Sequence, residues 1–147
     1  MIDSARWPAL RTKPVARPPL HRLAAAALAA WIAPPAAGAA LLVLGNLLPP
    51  GPGRTALSVE GFFLVSSVRL SWAGLLAGVP LSVLALRAGL AGWAVALGAG
   101  AALGVGAGLA VGLEPGIVLP GSVMAAAAYW LTLRGAFGID RMSPEDR

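Results

Sequence analysis

The chain has 147 residues, 58% of them hydrophobic and only 12% charged, where a soluble domain carries roughly a quarter charged residues. Ala (32), Leu (25) and Gly (19) supply over half of it. That excludes an ordinary soluble domain, which needs polar residues to cover its surface, and a disordered chain, which is poor in apolar ones. The net charge of +5 is not a nucleic-acid footprint, because the basic residues gather at the chain ends with only Trp7 and Phe137 among them, too few for a base-stacking platform.

Residues 1–22 form a proline-rich tail with five basic residues, Arg6, Arg11, Lys13, Arg17 and Arg22, and one acid, Asp3. Its four prolines forbid a continuous helix, and its charge suits the surface of a lipid bilayer. From Leu23 to Leu48 no charge occurs over 26 residues. At about 1.5 Å per residue that run exceeds the roughly 30 Å hydrocarbon core, and it predicts a first transmembrane span. Pro34 and Pro35 fall near its middle and predict a local opening that a neighbour must cover. A cleaved signal peptide ending at Ala37-Gly38-Ala39 is the rival reading. The long proline-rich segment before it and the apolar run after it, Leu41–Leu48, argue against that.

Pro49–Gly53 ends the first span. The following semi-apolar stretch, residues 58–69, fits a short helix lying in the membrane interface, or else the first turns of an over-long second span. The second span is predicted at Leu70–Leu86, containing Pro80. Arg87-Ala88-Gly89 makes a tight hairpin, Leu90–Leu113 a third span, Glu114-Pro115-Gly116 a second hairpin, and Gly116–Leu133 a fourth span. Residues 134–147 form a polar tail. The expected architecture is an all-α integral membrane protein of four transmembrane helices packed as a glycine-rich bundle. Arg22, Arg69, Trp72, Arg87, Trp93, Trp130 and Arg134 are the expected membrane-interface residues, as basic and indole side chains favour the headgroup level.

Four spans put both termini on one side. That side holds nine basic residues, and the other holds only Arg54 and Arg69. The bias places both termini in the cytoplasm. Ten Arg against one Lys, amid so much Ala, Gly and Pro, is the composition of a GC-rich genome and points to a bacterial inner (plasma) membrane.

The third span is the most informative segment. Gly92, Ala96, Gly100, Gly104, Gly108 and Gly112 recur every four residues, a glycine-zipper pattern, with a second row at Gly98, Ala102, Gly106 and Ala110. Lipid offers no hydrophobic drive between helices, so small residues that let backbones approach must hold them together. Gly74 and Gly78 offer a matching face on the second span, and Gly121, Ala125 and Ala128 one on the fourth. The third span is therefore expected at the centre of the bundle, with Gly104 in the tightest contact.

The four predicted spans contain no Asp, Glu, Lys, Arg or His, the groups that intramembrane catalysis or coupled transport retains. The chain has no cysteine and a single histidine, His21, which leaves no metal-site or nucleophile pattern. No cofactor and no enzymatic activity are expected. Arg54, Glu60 and Glu114 are the candidates for a contact at the outer rim. Two functions remain. One is a bundle acting through protein contacts, as an accessory, assembly or stabilising subunit of a larger membrane complex, partnered by other membrane subunits or by itself. The other is a small permease or channel unit for a neutral solute that works as an oligomer.

Overall fold

The structure, a computed structural model, describes residues 10, 12, 14 and 19–136. Most of the basic tail and the chain beyond residue 136 lie outside the described residues, and the expectations placed on them lie there too.

Five helices follow in order: α1 (Leu20–Leu47), α2 (Pro52–Ser66), α3 (Val68–Arg87), α4 (Trp93–Ala110) and α5 (Pro115–Leu131), the last running into a π-helical turn, Thr132–Ala136. No strand occurs among the described residues. Three stretches, Leu20–Leu47, Trp93–Ala110 and Pro115–Arg134, are long and apolar enough to cross a membrane, while Gly74–Arg87 is apolar but shorter.

Prolines and glycines punctuate the helices as their backbone chemistry requires. Leu48 is extended (φ −84°, ψ 149°), the conformation a following proline imposes, and so ends α1. Pro52 and Pro115 stand in the first turns of α2 and α5, where a missing N–H costs nothing. α3 and α4 end alike. Gly89 (φ +67°) and Gly112 (φ +75°) take the left-handed conformation. The next amides, of Leu90 and Leu113, then donate back to Ala85 and Gly108 at 2.8 and 2.9 Å, which satisfies carbonyls the helix leaves open. Gly112, expected at a helix contact, therefore serves as a helix stop. A residue carrying a Cβ would be strained there.

Residues 58–69 fit neither expectation fully. The helix begins earlier, at Pro52, and doubles back along α1 instead of lying across its end. Gly45 lies opposite Arg54, and Gly38 opposite Gly61. The Trp31 indole N–H donates to the Val68 carbonyl at 3.4 Å. These contacts run antiparallel, from Gly45 beside Arg54, Leu57 and Ser58 to Trp31 beside Val68. Only Ser67, itself in helical conformation (φ −60°, ψ −20°), separates α2 from α3. Its amide donates to Phe63 O, and its carbonyl accepts from the Ser71 amide, both at 2.9 Å.

The expected centre of the bundle is displaced. α1 packs on α2, α3 and α5, while α4 packs on α5 and, more lightly, on α3. The second small-residue row of α4 explains this, because a Cβ at Gly98 or Gly106 would meet nothing within 4 Å. α4 has one close neighbour and sits at the edge; α1, bulkier and longer, is the hub. The buried cluster Leu23, Ala26, Leu86 and Leu133 ties α1, α3 and the end of α5 together, with Val83, Ala91 and Tyr129 against it. Described parts of the N-terminal segment reach the same end. The Thr12 amide donates to Gly89 O at 2.8 Å and the Gly92 amide to Leu10 O at 3.3 Å.

Candidate functional site

α3 stands away from the α4–α5 pair, and the gap is a cleft of about 420 Å³. Ser67 lines it between α2 and α3; α3 contributes Ser71, Gly74, Gly78 and Ser82; α4 contributes Gly100, Leu103 and Gly104; α5 contributes Ser122 and Tyr129; and Ala30 of α1 also lines it. That volume lies within the range of small-molecule pockets. Gly74 faces open space, and a Cβ at Gly78 would meet only Leu103, at 3.9 Å, so both open the cleft instead of closing a helix contact.

The hydroxyls of the cleft are largely committed to their own helices. Ser67 donates to Leu64 O (2.6 Å), Ser71 to Ser67 O (2.8 Å) and Ser122 to Leu119 O (3.0 Å). This is back-bonding that satisfies a hydroxyl in an apolar setting. Ser82 donates to Val79 O at 2.7 Å and lies 2.6 Å from the Tyr129 hydroxyl. Tyr129 therefore donates to Ser82, joining α3 to α5. Pro34 removes the helical donor of the carbonyl of Ala30, which lines the cleft. The cleft thus offers apolar walls, a few acceptor oxygens and no ionisable group other than the phenol.

One wall of the cleft is also the closest helix pair at this end of the fold. Gly100, Gly104 and Gly108 of α4 face Ala126, Ser122 and Val118 of α5. A Cβ at Gly104 would overlap the Ser122 side chain, one at Gly100 the Ala126 methyl, and one at Gly108 would stand 2.7 Å from Val118. Gly92 is buried at the α3–α4 turn and caps α4.

The remaining candidates separate to two ends. Arg22, Arg87 and Arg134 each adjoin a member of the Leu23–Leu86–Leu133 cluster in sequence. The Arg134 guanidinium lies over the Trp130 ring at 5.4 Å from its centroid, and the Trp130 indole donates to Ala91 O at 3.0 Å. Trp93 is exposed where α4 begins. At the opposite end Arg54 reaches Asn46 Oδ1 at 3.5 Å. Glu60 lies nine residues from Arg69, about 13 Å along the nearly continuous α2–α3 rod, and the two do not meet. Arg69 and Trp72 follow the Ser67 break and are both exposed.

Sequence reasoning missed the Gly38–Gly61 crossing and the Ser82–Tyr129 pair. The first had a signal: small residues at Gly38 and Gly45 on one side, and at Ser58 and Gly61 on the other. It becomes readable only once residues 52–66 are taken as a helix antiparallel to α1. The second had none, since it joins residues 47 apart. No family model, curated protein or solved structure matches the chain.

Proposed function

We propose that the chain is a small multi-pass protein of a bacterial inner membrane that acts through protein contacts, as an accessory, assembly or stabilising subunit of a larger complex. α1, α4 and α5 each cross the bilayer. The α2–α3 rod, broken at Ser67, makes the fourth crossing, with Arg54 and Glu114 outside and Arg22, Arg87 and Arg134 at the cytoplasmic face. The observation that carries the functional reading is the state of the cleft hydroxyls. Ser67, Ser71, Ser82 and Ser122 each donate to a backbone carbonyl about one turn back, and no base stands among the lining residues to activate a hydroxyl. What remains available is surface: large apolar side chains such as Phe62, Trp72, Leu76 and Leu109 are 60% exposed or more. Purification from native membranes in mild detergent tests this. Recovery at fixed stoichiometry with different polypeptides supports it, and a lone monomer or homo-oligomer contradicts it.

The cleft itself favours a second reading, an oligomeric permease or channel unit for a neutral solute. Its acceptor oxygens and proline-opened carbonyl would bind hydrogen-bond donors without any buried charge. Passage of a small neutral solute into vesicles holding the purified protein alone would support this reading over the first.

A further inference from the structure

The α2–α3 rod carries an outward stripe unlike any other face of the molecule. Phe62, Val65, Arg69, Trp72 and Leu76 follow one another at steps of three, four, three and four residues. That spacing keeps side chains on one seam of a helix, and Ser67, where the two helices meet, itself keeps helical φ and ψ. All five are exposed. The cleft lies largely on the other side, where Ser71, Gly74 and Gly78 point, and only Phe62 of the stripe reaches its edge. Arg69 is therefore a single cation at the centre of an apolar seam.

Its depth makes that cation informative. The Trp31 indole reaches the Val68 carbonyl at 3.4 Å, so Arg69, the next residue, starts α3 near Trp31. That is about 12 Å along α1 from Leu23, where the charge-free run begins, and about 26 Å from Leu48, where it ends. A helical side chain leans toward the N-terminus of its own helix, which for Arg69 is the distant end. Arginine keeps its charge, and a charge at membrane depth persists where it pairs or serves a function.

A second copy of the chain lacks the matching group. The chain has no acid between Asp3 and Glu60 or between Glu60 and Glu114, and the others lie in its last eight residues. Glu60 stands about 13 Å from Arg69 along the rod, so in a parallel dimer the carboxylate and the guanidinium are at different depths.

We infer that the Phe62–Leu76 seam docks a transmembrane helix of a different polypeptide, one that carries an Asp or Glu level with Arg69. This rests on the accessory-subunit reading and names the chemistry of the partner. The apolar residues on either side of Arg69 supply packing, and the ion pair sets depth and identity.

The test uses the full chain in phosphatidylcholine vesicles. A donor dye is placed at Glu114→Cys, since the chain has no other cysteine. The probe is an acceptor-labelled transmembrane peptide of Leu and Ala with one central Asp. The Asp peptide should bind at least tenfold more tightly than the same peptide with Leu there, and moving the Asp two turns toward either end should erase the preference. Arg69→Leu should bring the two peptides within twofold, Arg69→Lys should keep most of the preference, and Arg69→Glu should transfer it to a central-Lys peptide. Equal binding of the Asp and Leu peptides to the unaltered chain would overturn the proposal. So would a preference that survives Arg69→Leu, one abolished by added phosphatidylglycerol because lipid phosphate occupies the guanidinium, or self-association that depends on Arg69. Failure here, with other polypeptides still recovered from native membranes, would leave the accessory reading standing. Recovery of the chain alone would end that reading whatever the peptides do.

Discussion

The molecule contains two helix hairpins that both rely on glycine, and they do so differently. In the α1–α2 pair, a Cβ on Gly38 would stand 2.7 Å from the Gly61 carbonyl oxygen and 2.7 Å from the Val65 nitrogen. Backbone meets backbone, and neither atom can rotate away. In the α4–α5 pair, the atoms in the way belong to the side chains of Ala126, Ser122 and Val118. Ser122 and Val118 can change rotamer, at a cost. The repeated glycine row therefore marks the more adjustable interface, and the Gly38–Gly61 crossing marks the rigid one.

Replacement by leucine separates the two. Gly38→Leu and Gly61→Leu should be the most damaging changes, costing about 3 kcal/mol or more through overpacking against backbone, read as a lowered Tm in detergent. Gly104→Leu should cost less, in the ordinary overpacking range of about 1–3 kcal/mol. Gly104→Ala should be substantially rescued by Ser122→Gly, which removes the atoms in its way. No second-site change at a side chain should rescue Gly38→Ala to the same degree. If Gly104→Ala proved worse than Gly38→Ala, the contrast between the hairpins would be inverted.

The link across the cleft ranks next. Tyr129→Phe and Ser82→Ala should each cost about 1 kcal/mol, the net worth of one hydrogen bond. The double variant should cost little more than either alone, since both remove the same bond. The smallest expected effect has the opposite sign. Gly98 and Gly106 lie inside α4 with open space around them, so Gly98→Ala and Gly106→Ala should raise stability by up to about 1 kcal/mol each through backbone entropy.

Much of this fold was legible in the sequence, for identifiable reasons. Long apolar runs report length directly, so the segments containing α1, α4 and α5 stand out. Gly89 and the Glu114-Pro115 pair mark turns because their backbones permit little else. The course of residues 52–69 was hidden, because a helix of 15 residues with Arg54, Glu60 and two serines has no clean apolar periodicity. What makes it a helix along α1 is the Gly38–Gly61 crossing, a long-range contact that no local pattern expresses. The cleft was illegible for a related reason: Gly74 and Gly78 look like packing residues until α3 is seen to stand away from α5.

The central claim is that the broken α2–α3 rod is one crossing of the membrane, which sets Arg54 and Arg87 on opposite sides. Because the chain lacks cysteine, single-cysteine variants at Arg54, Arg87 and Glu114 can each be challenged in intact cells with a membrane-impermeant maleimide, the outer membrane being made permeable. The account predicts labelling of Arg54→Cys and Glu114→Cys from outside, and of Arg87→Cys only after the inner membrane is opened. Labelling of Arg54→Cys and Arg87→Cys from the same side would contradict it.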